Sequence, residues 1–204
     1  MKEKAVDDQA ELEARRPVWI ALSELFLDTD VRIWYAAIAA TLADSPYSED
    51  ELRMILDHEL TPVLQANLLQ VAGEWAAFDE EWLVEEAARR RGKRRLLPAL
   101  VNLDDDWRAL SFLLGRLRAL PDAAARSRRL AAWNALLPLL LSKDPAWRPP
   151  PEGVTPAELD AAFQDDLAPA LREQARKLAV QDAATYPSLS EIDSNWRRYR
   201  AQLA

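Results

Sequence analysis

Apolar residues recur every three to four positions along most of this chain, the period of an amphipathic helix. Val18, Leu22, Leu25 and Phe26 form one stripe. Pro17 suits the first turn of a helix running to about Leu27, with residues 1–14 as a frayed or helical leader before it. Trp34, Ile38 and Leu42 mark a second helix over Val31 to Ala43. A third is predicted from about Glu49 to Leu60, because Ser48 and Glu51 make a capping box and Tyr47 and Leu52 its hydrophobic staple. Thr61 and Pro62 read as a fresh cap and first turn, opening a helix through "VLQANLLQ". Gly73 breaks the period, and Asp79 caps a helix that ends at Arg91.

The second half continues the pattern. A helix from Asp105 or Asp106 to Leu120 buries Trp107, Leu110, Leu114 and Leu117. Another starts at Pro121-Asp122 with Leu130, Trp133, Leu137 and Leu140 on one face, kinked by Pro138. "KDPAWRPPPEGV" reads as a rigid loop. Thr155 and Glu158 form a second capping box with Val154 and Leu159 as staple, and Leu159, Phe163, Leu167 and Leu171 follow at intervals of four. Pro169 bends or divides that helix, and "PSLSEIDSNW" opens a last one with Ile192, Trp196, Tyr199 and Leu203 inward. The fold expected is all-α, an irregular multi-helix bundle of about nine or ten helices. No repeat at a fixed period stands out.

Composition agrees with this. Ala, Leu, Arg and Glu dominate and Gly is limited to 4 residues, so helix formers prevail over breakers. The absence of cysteine excludes disulfides and thiolate metal sites. Met1 to Ala14 is charged, without the apolar core of a secretory signal, and the longest strongly apolar run is Leu136 to Leu141. The expectation is a cytoplasmic protein with no membrane segment.

Charge changes the picture more. The net charge is −8, unevenly divided. Residues 1–91 hold 9 Lys+Arg and 20 Asp+Glu, a net −11; residues 92–204 hold 17 and 14, a net +3. Two halves are therefore expected, an acidic 1–91 and a mildly basic 92–204, possible as one packed domain. Such asymmetry speaks to partners rather than to fold.

Candidate chemistry is sparse. The single histidine, His58, has Ile55 three residues before it, so the Glu-x-x-His pattern of di-iron bundles is missing. No nucleophile elbow, phosphate-binding loop or dinucleotide motif occurs. Glu81 and Glu85 lie one helical turn apart and Asp104, Asp105 and Asp106 are consecutive, a pattern that could serve Mg²⁺ or simply load helix starts. The basic run Arg89 to Arg95 suggests a phosphate contact, but most of it reads as a helix end: Asp79, Glu80 and Glu81 at the start, Arg89 to Arg91 at the finish, Gly92 as stop. Its acidic neighbourhood opposes nucleic acid. Trp75 and Trp147 fall outside any apolar face, as loop residues folded back or as contact residues.

The segments "RRPVWIALSELFLDT", "YSEDELRMIL", "PVLQANLL" and "AGEWAAFDEEWL" are similar to those of an uncharacterised bacterial family, over residues 14–91. That resemblance implies a bacterial source and no particular activity. The function expected is a non-enzymatic acidic module that binds a protein partner, in its most concrete form an immunity or antitoxin-type protein covering a basic toxin. Its contact residues would be Glu74, Trp75, Asp79, Glu80, Glu81, Glu85 and Glu86, with no cofactor, metal or catalytic residue. The alternatives are a Mg²⁺- or Mn²⁺-dependent phosphohydrolase built on carboxylates, and a scaffold acting as a homodimer.

Overall fold

The computed structural model describes residues 2–69, 77–93, 99–172 and 187–203. All regular structure among them is helical. The chain divides into two compact units, Met1–Val31 with Thr41–Leu103, and Arg32–Ala40 with Asp104–Ala204.

In the first unit, α1 spans Lys2–Ser23 and continues into a 3₁₀ turn, Glu24–Phe26. The helix therefore does not begin at Pro17, which lies inside it. An interior proline forfeits one backbone bond and crowds the carbonyl four residues back. Here Pro17 and Glu13 are both exposed, so water can take that carbonyl. The inward face is Val18, Trp19, Leu22, Leu25 and Phe26, each at most 2% exposed.

Ser48 caps α3, Glu49–Met54, with both bonds of the predicted box formed. The chain then widens into a π-helical segment, Ile55–Leu60, before tightening into α4, Thr61–Leu64. Thr61 is therefore not a cap after a break: the helical path is continuous from Glu49 to Leu64. Its N–H reaches Leu56 O, five residues back, and its hydroxyl donates to the same carbonyl at 2.8 Å. Pro62 explains the widening: its ring crowds the carbonyl four residues earlier, at His58, inside the π segment. A 3₁₀ turn, Asn67–Leu69, follows, and the Asn67 amide donates to Phe26 O at 2.9 Å. The break expected at Gly73 lies outside the described residues. Asp79 caps α5, Glu80–Arg90, and Gly92 takes the predicted left-handed conformation, φ +69°. α1, the π segment and α5 pack on one another.

Between α1 and α3 runs α2, Tyr35–Asp44, entered through a 3₁₀ turn, Val31–Trp34. Contacts assign its start to the second unit and its last four residues to the first. The tighter 3₁₀ turn shifts the phase of the predicted stripe. Trp34 is 41% exposed, whereas Tyr35, with Ile38 and Leu42, is buried.

The second unit is built from α6, Asp104–Arg118, α7, Ala123–Leu140, α8, Pro156–Ala161, and α9, Leu189–Ala201. Trp107, Leu110, Leu114 and Leu117 of α6 are buried as the pattern predicts. Asp122, Thr155 and Ser188 supply the caps of α7, α8 and α9, the last two as complete capping boxes. α8 runs into a second π segment, Ala162–Leu167, followed by helical residues 168–172 with Pro169 among them. The 143–154 stretch carries no helix, and Trp147 in it is 52% exposed. Asn195 of α9 donates to Leu139 O, Leu140 O and Ser142 O at 3.3, 3.2 and 2.8 Å. It satisfies carbonyls that the end of α7 leaves without helical partners. Phe163 stacks on Trp196 with ring centres 4.6 Å apart, joining the π segment to α9.

Candidate functional site

α5 carries most of the acidic residues singled out in the sequence. Its buried side is Leu83 and Ala87, so Asp79, Glu80, Glu81 and Glu85 face outward. Local chemistry engages most of these carboxylates. Asp79 accepts the Trp82 N–H at 2.8 Å as helix cap. Glu80 lies 3.5 Å from Arg16 of α1, and Glu85 and Glu86 both accept from the Arg89 guanidinium. Glu81 is exposed. Glu74 and Trp75 lie outside the described residues. Between the carboxylates stands Trp82, 44% exposed, its ring centre 6.4 Å from that of Phe78. Sequence reasoning passed over Trp82; its position one residue before the buried Leu83 was the signal that it flanks the inward stripe.

Part of the basic run is engaged within the chain. Arg91 pairs with Asp8 of α1 and lies 3.4 Å from Glu11. Lys93 is exposed, with its N–H on Arg90 O at 2.9 Å, as a chain turning at Gly92 requires. Arg94 and Arg95 lie outside the described residues.

Two further polar centres were not foreseen. In the first unit, Glu59 on the π segment is 5% exposed. It accepts from Arg15 Nη1 at 2.6 Å and Trp19 Nε1 at 2.7 Å. Arg15 also bonds Glu11 at 3.1 Å and lies over the Tyr47 ring, 5.3 Å from its centre. In the second unit, Asp166, fully buried on the other π segment, accepts from Arg116 Nε at 2.7 Å, from Arg129, and from Trp133 Nε1 at 3.0 Å. Buried carboxylates ringed by charged and indole donors are strongly held in place, and removing one partner strands the other. Such centres lock helices together, and each oxygen of the two carboxylates accepts at least one bond from within the chain.

The carboxylates at the start of α6 fall to structural duties. Asp104, Asp105 and Asp106 lie in the first turn of α6; Asp105 is 3.1 Å from Arg108, and Asp106 accepts the Tyr35 hydroxyl at 2.9 Å. His58 is half-buried in the first π segment, and its Nδ1 has no hydrogen-bond partner among the described residues. Among the described residues, no group of three or more His, Cys, Asp or Glu side chains could hold a metal ion.

The shifted ionisations fit these roles. Glu51, Glu158 and Glu191 are held below the ordinary glutamate range, first by backbone N–H donation from Ser48, Thr155 and Ser188, then by the hydroxyls of the same residues. Burial pushes Tyr47 up, with Arg15 opposing, and burial likewise raises Tyr199 and Glu24. The Asp160 carboxylate raises Arg200, its hydrogen-bond partner at 2.5 and 2.9 Å.

These features define an all-α protein of two units, each locked by a buried carboxylate, with an acidic, tryptophan-bearing helix in the first. The chain belongs to the family described as a domain of unknown function, DUF7079, whose model matches residues 13–116. The match takes in the described part of the first unit from late α1 onward and most of α6. No curated protein and no solved structure matches the chain. Among the described residues no helix is long and apolar enough to cross a membrane.

Proposed function

We propose that this is a bacterial protein-binding module of the immunity or antitoxin type, whose first unit docks a basic protein partner through the outer face of α5. The observation that carries this reading is Trp82. A large aromatic ring stands 44% exposed among Glu81, Glu85 and Asp79, on a unit that bears 11 Lys+Arg against 20 Asp+Glu. Tryptophan is among the residues enriched in binding hot spots, and a net −9 on one unit steers a cationic partner to it. Asp79, Glu80, Glu85 and Glu86 are partly committed within the chain, so Glu81 and Trp82 are the residues on which contact would most depend.

The test is direct binding between the purified chain and the product of the neighbouring gene, followed by calorimetry at low and high salt. The expected result is a complex weakened by salt, weakened by Glu81→Lys, and reduced ~30-fold or more by Trp82→Ala, the scale of a hot-spot loss of about 2 kcal/mol. A complex indifferent to salt and to both substitutions would remove this surface from consideration.

A further inference from the structure

We infer that the chain contains two copies of one three-helix module, the first within residues 15–91 and the second within 129–200. The correspondence begins at the buried carboxylates. Align Glu59 with Asp166, and Ser48 falls on Thr155, Glu51 on Glu158, Leu52 on Leu159, Leu60 on Leu167, Pro62 on Pro169 and Leu64 on Leu171. No gap is needed from 48–64 to 155–171. The secondary structure changes at the same places: helix Glu49–Met54 matches Pro156–Ala161, and π segment Ile55–Leu60 matches Ala162–Leu167. Both capping boxes are complete. The buried positions 52, 55, 56, 59, 60, 61 and 64 correspond to 159, 162, 163, 166, 167, 168 and 171, all buried.

The other two helices follow. Glu59 is held by Arg15 and Trp19, Asp166 by Arg129 and Trp133, and each pair is spaced Arg-x-x-x-Trp. In that register Val18, Leu22, Leu25 and Phe26 fall on Ala132, Leu136, Leu139 and Leu140, again all buried. The third helix is capped by Asp79 in one copy and Ser188 in the other, with Leu83 and Ala87 on Ile192 and Trp196. In each unit the Arg-x-x-x-Trp helix packs on its π segment and on this third helix. Long π segments are rare. Two in one chain, each carrying a buried acid against an Arg-x-x-x-Trp pair, are poorly explained by coincidence.

The copies are separated by changing intervals, 114 residues for the first helix, 107 for the second and 109 for the third: the link that holds α2 is seven residues longer in the first copy, and the link before the third helix is two residues shorter there. That variation hides the repeat from any fixed-period reading. The copies share their interior and differ outside: Met54 and Trp82 correspond to Ala161 and Glu191. The shared residues are thus fold residues, and specificity is to be sought where the copies differ.

The duplication is tested by grafting in the full chain. Residues 155–169 are replaced by the sequence of 48–62, in register, and in a second variant by that of 47–61, one residue out of register. The reciprocal pair places 155–169 or 154–168 at 48–62. Circular dichroism and thermal unfolding are compared with the parent. The expected result is that in-register grafts, in at least one direction, keep the parent's helical signal and a cooperative melt, while both out-of-register grafts lose them. In-register grafts that fare no better than the shifted ones in either direction overturn the inference. None of these readouts involves a partner, so the outcome is independent of the proposed function.

Discussion

At the residue scale, the decisive groups are two carboxylates and their donors. Glu59→Gln keeps the shape but places an amide N–H₂ against donors, and Asp166→Asn does the same. Each should cost about 1–3 kcal/mol, the scale of lost bonds to a buried acceptor whose arginine partners keep access to water. Urea unfolding measures this, and a cost near zero at either site would show that the centre is not what holds its unit. Trp19→Phe and Trp133→Phe leave an aromatic ring but remove one donor, with an expected loss of about 1–3 kcal/mol. These centres were hard to read from the chain because Glu59 follows Asp57 and His58, and Asp166 follows Gln164 and Asp165, so each looks like part of a solvated polar stretch. Glu59 lies 40 and 44 positions from its partners, and no local rule links them. Trp34 failed for a smaller reason: one 3₁₀ turn rotated the stripe, and Tyr35 took the inner position with its hydroxyl on Asp106.

At the element scale, caps were legible and the π segments were not. Ser48 and Thr155 cap as their Ser/Thr-x-x-Glu spacing predicts, because a capping box is closed within four residues, and Ser188 with Glu191 forms a third box of the same spacing. Its pH dependence follows. Glu51, Glu158 and Glu191 have lowered folded pKa values, so their contribution is present above the unfolded glutamate value of about 4.3 and is lost as pH falls through the lowered values. Helical content followed by circular dichroism should fall across that acidic window. Replacing all three by Gln should flatten the part of the profile they cause; an unaltered profile would place the acid sensitivity elsewhere. A π turn has no comparably closed signature: Pro62 and Pro169 each follow a π segment by two residues, but a proline there reads equally as the start of a new helix. Deleting Asp57 or Gln164, both outside the buried set, would turn the helix start by about 100° relative to the acid. Loss of cooperative unfolding is expected, whereas substituting either residue by Ala should leave the melt nearly unchanged.

At the scale of the whole molecule, charge and architecture separate. The first unit carries net −9 and the second, with 15 Lys+Arg against 14 Asp+Glu, net +1. Association through the first unit should therefore slow steeply as salt rises, with dissociation changing less. Stopped-flow association at several ionic strengths checks this, and a salt-independent association rate would count against electrostatic docking. The all-α class was legible because helical periodicity and helix-forming composition agree over nearly the whole chain. The acidic face of α5 was legible in part: the carboxylates were placed correctly on one helix, but their engagement by Arg16 and Arg89 and the exposure of Trp82 were not.

What the amino-acid sequence by itself determined was local: the helical period, the three capping boxes, the turn at Gly92 and the excess of acid before it. Each depends on residues a few positions apart, whose encounter the backbone guarantees. Tertiary structure alone decided which polar residues are buried and with whom. Arg15, Trp19 and Glu59 meet because packing brings distant helices together, and so do Arg116, Arg129, Trp133 and Asp166. Burying a carboxylate is tolerable only when donors surround it, and those donors come from other helices. The same condition, met twice, is what exposed the likeness of the two units.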